Sequence, residues 1–489
     1  MTFQSGVLRW VAICAAMLAP GPATALDSLQ PPGWDAGLKL PEAPDLNSDP
    51  HVVEINIDAR IASIEITPGR RVDAWTYNGG IPGPLVRVHV GDRLIVHFTN
   101  HLPQETTIHW HGVRIPIQMD GVPEVSQPPV PNGGTFTYDF VVPDAGLYWY
   151  HPHVMSAAQV GFGLYGAVLV EDPAEQLGVA DQTVLVLSDI GLDEHGGFES
   201  PTSGGSTGMA FGREGNQVLV NGRVRPTLRV RSGAPQRWRI VNAAKSRYFN
   251  VDLDGEAFTR IGGDGGFIEA PVTSDTLLLA PGERADVLVA PRRAPGKEID
   301  VRTIPFNRGY GSVEFRNAEE LMTIAMDSAP AFTGPALTSL LPPPRKIEPI
   351  NTAGATSVNI DFTIAQLGDG TFVYGVNGIP FSKNHPIVAK PGETQVWTIT
   401  NKTKWSHPFH LHGFFFQVLD NQGRQVRPLE WKDTVNVPFE ETVRLVVTYD
   451  DRAGNWMFHC HILDHADGGL MGSVDVGVPP KDHLEHGHH

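Results

Sequence analysis

Apolar and polar residues alternate along much of the chain in short runs, and three of these runs share one layout. Each contains an alternating strand, a glycine turn, a second alternating strand and a closing asparagine. A period of two predicts half-buried strands, and the recurrence predicts three copies of one β-module. The runs are GPLVRVHVGDRLIVHFTN, ending at Asn100, RPTLRVRSGAPQRWRIVN, ending at Asn242, and HPIVAKPGETQVWTITN, ending at Asn401.

The size and composition of the chain agree with this repeat. Its 489 residues correspond to about three domains of ordinary length. Hydrophobic residues make up 41% of the chain, enough for substantial cores, and 52 Gly and 41 Pro provide frequent turns. We therefore predict an all-β protein with domains at 48–172, 180–328 and 350–478, linkers at 171–182 and 327–350, and a glycine-rich loop at 195–216.

Charge and the N-terminus restrict partners and location. The formal net charge of −17 argues against nucleic acid and anionic membrane as partners. One arginine, the apolar run WVAICAAMLA and the small residues Ala23–Ala25 form the three parts of an export signal. The apolar run is too short to span a bilayer as a helix. We predict a signal peptide at 1–25 and an exported protein, periplasmic or secreted.

Removal of this segment takes Cys14 with it and leaves Cys460 as the one cysteine of the mature chain. An internal disulfide is then excluded. A lone thiol in an oxidising compartment needs something that holds it, and a metal is the candidate.

Histidines concentrate in four short segments of the first and third modules, and the middle module has none at the matching places. Side chains at i and i+2 of a strand point to the same face, so each His-x-His pair presents two imidazoles together. One pair alone is more often incidental, but four pairs predict a shared centre for copper, zinc or iron. The segments are HWHG with His109 and His111, HPH with His151 and His153, HPFHLHG with His407, His410 and His412, and HCHILDH with His459, His461 and His465.

Cys460 lies between two of these histidines, so its side chain points to the opposite face of the predicted strand. On that face His407 and His465 can complete a trigonal His₂Cys site, which is typical of blue-copper electron transfer. His459 and His461 join the remaining pairs on the other face. One segment is therefore predicted to connect two metal centres. The histidine-rich tail at 479–489 could also bind metal, although a tail without that role is the simpler interpretation.

In order and spacing, the four segments resemble those of three-domain multicopper oxidases of the laccase type. The resemblance covers nearly the whole mature chain and implies three cupredoxin-like Greek-key β-sandwich or barrel domains. It implies four coppers per chain, electrons that pass from a small-molecule donor through Cys460, and reduction of dioxygen to water. By this resemblance, His407, Cys460 and His465 would bind the type 1 copper, His109 and His410 the type 2 copper, His111, His151 and His461 one type 3 copper, and His153, His412 and His459 the other.

Residues beside these segments add further expectations. The resemblance places Leu470 at the axial position of the type 1 copper, where leucine cannot coordinate and the reduction potential should rise. Met471 is adjacent but points away on a strand, so we expect it to serve packing. Asp120 matches the proton-relay aspartate of the family. Asp467 is a second candidate for proton relay, with a turn residue before two glycines as the alternative.

The sequence leaves the electron donor and the oligomeric state open. Nine methionines are scattered, and Thr403 and Trp405 replace an Asp and a Met of copper-efflux relatives, which disfavours a dedicated Cu(I) oxidase. We favour phenols or aromatic amines that donate electrons at the exposed edge of a copper-bound imidazole near Trp405, a residue that could equally be packing. The alternative is an oxidase of Mn(II), Fe(II) or Cu(I), which surface acids near His465 would support. A copper-free cupredoxin scaffold would require gaps in the ligand set, and a shorter two-domain copper nitrite reductase fits less well.

Overall fold

The structure, a computed structural model, describes residues 38–175, 177–309 and 317–479. The predicted signal peptide and all but the first residue of the predicted tail lie outside these residues. Strands dominate, and they form three sandwiches of two sheets each. The prediction of an all-β protein built from three modules is confirmed. No helix in the described ranges is long and apolar enough to cross a membrane.

The first sandwich consists of two four-stranded sheets and one short helix, α1 (Ser156–Gly161). Its strands are β1 (Val52–Thr67), β2 (Arg70–Tyr77), β3 (Val86–His89), β4 (Arg93–Asn100), β5 (His109–His111), β6 (Thr135–Val141), β7 (Gly146–His151) and β8 (Gly166–Glu171). The sheet orders are β2-β1-β4-β6 and β3-β8-β7-β5.

The second sandwich is the largest and carries helix α2 (Gly205–Phe211). Its strands are β9 (Asp181–Ile190), β10 (Gln217–Val220), β11 (Thr227–Val230), β12 (Gln236–Asn242), β13 (Phe249–Asp252), β14 (Phe258–Gly263), β15 (Gly266–Ser274), β16 (Thr276–Leu279), β17 (Arg284–Val289), β18 (Glu298–Thr303) and β19 (Glu319–Met326). The sheet orders are β10-β9-β12-β17-β14-β15 and β11-β19-β18-β13-β16.

The third sandwich consists of two five-stranded sheets and helix α3 (Leu463–Asp467). Its strands are β20 (Thr356–Gln366), β21 (Phe372–Val376), β22 (Ile387–Ala389), β23 (Thr394–Asn401), β24 (His407–Leu411), β25 (Phe416–Leu419), β26 (Thr434–Val437), β27 (Thr442–Thr448), β28 (Gly454–Cys460) and β29 (Met471–Val476). The sheet orders are β21-β20-β23-β27-β25 and β22-β29-β28-β24-β26.

The three repeated runs of the sequence occupy equivalent places. The two strands of the repeat are β3 and β4 in the first module, β11 and β12 in the second, and β22 and β23 in the third. In every module these two strands lie in opposite sheets of the sandwich. The second strand pairs in parallel with the first strand of its module in all three copies. Each sandwich buries its own core, around Trp110, Trp238 and Trp397 respectively.

The closing asparagine organises the loop that follows each repeat. Asn100, Asn242 and Asn401 are buried, and each accepts a hydrogen bond from the backbone N–H two residues on. Each side-chain amide also donates to the carbonyl four or five residues on and to a second carbonyl farther along the chain. Such local bonds stabilise a turn that leaves the sheet. In the first and third modules this turn leads directly into a histidine segment.

Candidate metal centre

Strand pairing brings the four histidine segments together in two adjacent pairs. In the first module β5 and β7 are antiparallel, with His109 opposite His151. In the third module β24 and β28 are antiparallel, with His410 opposite His459. Residues directly opposite on one face of an antiparallel pair lie within contact distance. Each module therefore presents its own patch of imidazoles.

The two patches face each other across the boundary between the modules. The rings of His111 and His410 stack with centroids 3.7 Å apart, and those of His109 and His412 with centroids 3.9 Å apart. His153 Nε2 lies 3.4 Å from His459 Nε2. We call the resulting set of eight side chains the imidazole cluster: His109, His111, His151, His153, His410, His412, His459 and His461.

His461 extends the cluster on the side of His111 and His151. Its ring centroid lies 4.9 Å from that of His111 and 5.5 Å from that of His151. The cluster contains three sets of three histidines in which one ring nitrogen from each histidine lies within 4.8 Å of the other two. These nitrogens are close enough to share an ion. These sets are His109, His410 and His412; His109, His111 and His151; and His153, His412 and His459.

Hydrogen bonds to one ring nitrogen orient the other into the cluster. Nδ1 of His109 lies 2.7 Å from the Asp120 carbonyl, and Nδ1 of His410 lies 2.9 Å from the Asp433 carbonyl. A ring N–H that donates to a carbonyl leaves the second nitrogen with a free lone pair. In the described part of the chain, buried ring nitrogens without a hydrogen-bond partner are Nε2 of His109, His151 and His410, Nδ1 of His111, and both nitrogens of His461.

Burial favours the neutral form of seven of these eight rings, and the neutral form is the one that binds metal. No member of the cluster is more than 8% exposed. Loss of solvation lowers the pKa of His412 to about 3, and it also lowers the pKa of His410. The same cause places the pKa well below the ordinary value for His111, His151, His153, His459 and His461. A buried group of unpartnered neutral nitrogens fits transition-metal ions such as copper.

The Cys460 side chain lies on the opposite face of β28 and meets two further histidines. Its Sγ is 3.3 Å from His407 Nδ1 and 3.6 Å from His465 Nδ1, and all three residues are fully buried. We call these three side chains the His₂Cys group. The other ring nitrogens are bonded, His407 Nε2 to Thr403 Oγ1 at 2.7 Å and His465 Nε2 to the Ala210 carbonyl at 3.1 Å.

These bonds direct both Nδ1 atoms at the sulfur. Burial raises the pKa of the Cys460 thiol, so a metal would have to compensate for ionising it. Two nitrogens and one sulfur around a common point form a donor set suited to a copper electron-transfer site.

Comparison with known proteins identifies the family. Three multicopper oxidase family models match residues 59–175, 181–298 and 351–480. A multicopper oxidase of Mycobacterium tuberculosis is 32% identical over 83% of this chain and 84% of its own length. The chain belongs to the multicopper oxidase family. It is therefore a copper enzyme that uses dioxygen as its oxidant and a small-molecule electron donor.

The names of other relatives of this multicopper oxidase indicate different electron donors. A laccase of Bacillus subtilis is 27% identical over 83% of this chain and 91% of its own length. The structure of a multicopper oxidase from Campylobacter jejuni, described as a metallo-oxidase, has a TM-score of 0.78 and 29% identity. It covers 90% of this chain and 94% of the other.

Leu470 and Met471 lie in different hydrophobic clusters of the oxidase. Leu470 is fully buried in the cluster that contains Cys460, and its carbonyl accepts a hydrogen bond from the Cys460 N–H at 3.0 Å. Met471 packs with Met457 and Phe381 in a separate cluster. Leu470 directly precedes β29, which begins at Met471, and the two adjacent side chains enter different cores.

The two predicted proton-relay aspartates occupy different environments. Asp120 is buried, and its Oδ2 lies 2.8 Å from His412 Nδ1 and its Oδ1 3.3 Å from His109 Nδ1. Burial opposes ionisation of Asp120, but the two imidazoles outweigh it and hold its pKa below the ordinary value. Asp467 is exposed and accepts a hydrogen bond from the Ala157 N–H, so it links α3 to α1. Its role in proton transfer stays a prediction.

Sequence reasoning missed Asp433, which contacts the imidazole cluster from the third module. Its Oδ1 lies 3.1 Å from His111 Nε2, and its carbonyl bonds His410 Nδ1. Asp433 is buried and pairs with the equally buried Arg284 of the middle module. An aspartate in the alternating segment WKDTVNVP carries no metal-binding spacing, so the local pattern offered no signal.

The middle module also covers the His₂Cys group, contrary to expectation. The predicted glycine-rich loop contains α2, whose Ala210 carbonyl accepts the His465 ring N–H. His465 is therefore fully buried, and the expected exposed imidazole edge is wrong. The contact between Ala210 and His465 joins residues 255 positions apart, which a local pattern cannot reveal.

An aromatic surface lies over this cover. The Tyr374 ring stacks on that of His465 with centroids 4.4 Å apart, and its hydroxyl donates to the Ala210 carbonyl at 2.6 Å. The Trp405 indole N–H donates to the Tyr374 hydroxyl at 2.6 Å. Trp405 is half-buried, and Phe211 lies against it with 41% of its surface exposed. Trp405 thus combines packing with a partly exposed surface.

Proposed function

We propose that this enzyme oxidises phenolic or aromatic amine donors one electron at a time and reduces dioxygen to water. The observation that carries the proposal is the pairing of a buried His₂Cys group with a buried imidazole cluster through His459, Cys460 and His461. His459 and Cys460 are the last two residues of β28 and His461 follows directly, so three consecutive residues connect the two centres covalently. Such a connection offers a short through-bond path for electron transfer from one centre to the other.

We assign four coppers to the histidines of the two centres and Cys460. His407, Cys460 and His465 would hold a type 1 copper, with Leu470 as a non-coordinating axial neighbour. His109 and His410 would hold a type 2 copper. Bound copper would supply one-electron transfer at the first centre and four-electron reduction of dioxygen at the cluster. The type 3 pair would be held by His111, His151 and His461 on one ion and by His153, His412 and His459 on the other.

The chain itself would supply orientation and protons. Reduction of one dioxygen to two waters consumes four electrons and four protons. Asp120 contacts His109 and His412 and lies close enough to pass protons towards the cluster. The backbone carbonyls that accept from the Nδ1 atoms keep the rings in the ligand orientation.

The surface above the His₂Cys group supports an aromatic donor. Phe211 and Trp405 offer partly exposed rings there, and aromatic rings stack favourably on one another. Two acids near this surface are paired with arginines, Asp464 with Arg213 and Glu214 with Arg308, whereas Asp467 is an exposed acid two residues from His465. Paired carboxylates are poor ligands for a metal-ion substrate. The metallo-oxidase relative nevertheless makes oxidation of Fe(II), Mn(II) or Cu(I) the alternative.

We also propose that the enzyme is exported and acts in the periplasm or outside the cell. The three-part N-terminal segment supports this location, as does a mature chain with one cysteine. We also propose domain boundaries at 48–172, 180–328 and 350–478.

Copper analysis of the purified protein tests the assignment. We expect four coppers per chain and an intense blue colour that bleaches on anaerobic reduction with a methoxyphenol. A colourless protein with one copper or none would refute it. Oxygen consumption measured side by side with the methoxyphenol, Mn(II), Fe(II) and Cu(I) identifies the donor, and we expect the highest kcat/KM for the phenol.

Substitution Cys460→Ser tests the electron route. The hydroxyl oxygen is a hard, weak ligand for copper in place of a thiolate. We expect loss of the blue absorbance and of donor oxidation together. Normal turnover in this variant would show that electrons do not pass through Cys460.

A further inference from the structure

The middle module has no histidine segment, yet it reaches the imidazole cluster through two residues at the start of β17. Gly282 and Arg284 flank Glu283 in the turn that enters this strand. Arg284 is fully buried. A charged side chain is stable at such a position only when its partners compensate for lost solvation.

The Arg284 guanidinium uses all five of its N–H donors, and its partners come from all three modules. Nε donates to the Leu147 carbonyl of the first module at 3.1 Å. In the middle module, Nη1 donates to the Gly282 carbonyl and Nη2 to the Asp264 carbonyl, both at 3.0 Å. The two remaining bonds form a fork on Asp433 of the third module, with Nη1 2.7 Å from Oδ1 and Nη2 in close contact with Oδ2.

Asp433 transmits this contact to two cluster histidines. Its Oδ1 lies between the Arg284 fork and His111 Nε2, and its carbonyl bonds His410 Nδ1. The rings of these two histidines stack 3.7 Å apart, although they come from different modules. The Asp433 carboxylate, an acceptor held in place by the guanidinium fork, faces Nε2 of the His111 ring. It then accepts the His111 N–H and leaves Nδ1 free.

Two glycines show how closely the structure is packed around this fork. A Cβ on Gly112, in the HWHG segment, would lie 2.5 Å from Arg284 Nη2 and from Asp433 Oδ2. A Cβ on Gly282 would lie 3.1 Å from atoms of both His111 and His461. Both glycines have positive φ, 84° and 88°. The middle module therefore forms one wall of the cluster.

We propose that Arg284 is a positioning residue for the imidazole cluster, so that the module without ligands controls how tightly the cluster binds copper. Arg284 holds Asp433, and Asp433 holds His111 and His410 at the boundary between the first and third modules. This inference rests on the proposed copper cluster. Absence of copper from the wild-type protein would refute that proposal separately.

The test is Arg284→Lys, with Arg237→Lys as the matched control. Lysine keeps the charge but cannot form the planar fork on a carboxylate. Arg237 makes a comparable buried fork on Asp286 within the middle sandwich, away from the cluster. Copper content, the blue absorbance, the electron paramagnetic resonance signal of type 2 copper and Tm are measured for both variants.

In Arg284→Lys we expect the blue absorbance to persist while copper at the cluster is removed by a chelator at about 10- to 100-fold lower concentration. Arg237→Lys should keep wild-type copper affinity at both centres, whatever its Tm. Wild-type cluster affinity in Arg284→Lys, or an equal loss in both variants, would overturn the proposal.

A second variant, Gly282→Ala, covers the case in which Arg284→Lys does not fold. It leaves every charged pair in place and adds one methyl group against His111 and His461. We expect the type 2 signal to change or disappear while the blue absorbance stays. If Gly282→Ala binds cluster copper like the wild type, or loses both centres together, control of the cluster by the middle module is refuted.

Discussion

At the scale of single residues, the hydrogen bond on one nitrogen decides what the other nitrogen of an imidazole can do. In the cluster, Nδ1 of His109 and His410 is bonded, which leaves Nε2 free. In the His₂Cys group the pattern is reversed, because Nε2 of His407 and His465 is bonded and Nδ1 faces the sulfur. The neighbours of each histidine therefore select its ligand atom.

Asp120→Asn should slow dioxygen reduction and leave the His₂Cys group intact. The amide keeps the size of the side chain but loses the charge that faces His109 and His412. We expect turnover to fall about 10- to 100-fold, measured as oxygen consumption, with unchanged blue absorbance. The control is Asp139→Asn, whose partner Arg93 lies on the surface. Loss of the blue absorbance in Asp120→Asn would contradict this division of roles.

Leu470→Met should lower the reduction potential of the type 1 copper. A thioether at this position can coordinate weakly and stabilise the oxidised ion, which leucine cannot do. Redox titration of the blue absorbance measures the change. Met471→Leu is the matched control and should leave the potential unaltered, because Met471 packs in a separate cluster. An unaltered potential in Leu470→Met would place the axial position elsewhere.

At the scale of elements, the short helix α2 covers the His₂Cys group on the side where we propose that an electron donor approaches. A helix of seven residues has little stability alone, so its packing must hold it in place. The Tyr374 hydroxyl and the His465 ring both donate to the Ala210 carbonyl near its end. We therefore propose that an electron donor contacts Phe211 and Trp405 and not the imidazole edge.

Phe211→Ala should raise KM for aromatic electron donors and leave KM for metal ions unchanged. Loss of one stacking partner, worth about 0.5–1.5 kcal/mol, would raise KM for a methoxyphenol about 2- to 10-fold. KM for Fe(II) should not change, because a metal ion gains nothing from the ring. The matched control is Leu278→Ala, another exposed hydrophobic residue of the middle module. Equal changes in KM for both donors would argue against an aromatic binding surface.

At the scale of the whole molecule, three modules meet at one buried cluster, and its formation depends on all of them. Modules one and three supply the imidazoles, and the middle module supplies Arg284, Gly282 and the cover of α2. The buried imidazoles of the two centres link the stability of the fold to pH and to copper binding.

The copper-free protein should lose stability in acid. His407 and His412 have a pKa of about 3 when folded and 6.5 ordinarily. Between these values the unfolded chain binds protons that the folded chain does not, so the free energy of unfolding falls as pH falls from 6.5 towards 3. At pH 5 each residue would account for about 2 kcal/mol.

Thermal unfolding of chelator-treated protein at pH 7 and pH 5 measures this loss. The variant His412→Gln should lose about 2 kcal/mol less between the two values than the wild type, because glutamine does not titrate. A Tm of the copper-free protein that is the same at both values would contradict the burial of neutral imidazoles.

Sequence alone determined the β-modules and predicted the metal-binding side chains. Alternation along a strand is a local property, so the period of two predicted the strands and placed Cys460 and its flanking histidines on opposite faces. Histidine spacing at matching places of two repeats predicted the shared centre for the same reason.

Tertiary structure decided which groups surround those metal-binding side chains. Arg284, Asp433 and His111 are separated by at least 149 residues, and α2 reaches His465 over 255. Such contacts follow from how the sandwiches pack against one another, and no local periodicity records that packing. For this reason the chain showed which side chains could bind copper, and only the folded molecule revealed the contribution of the middle module to the site.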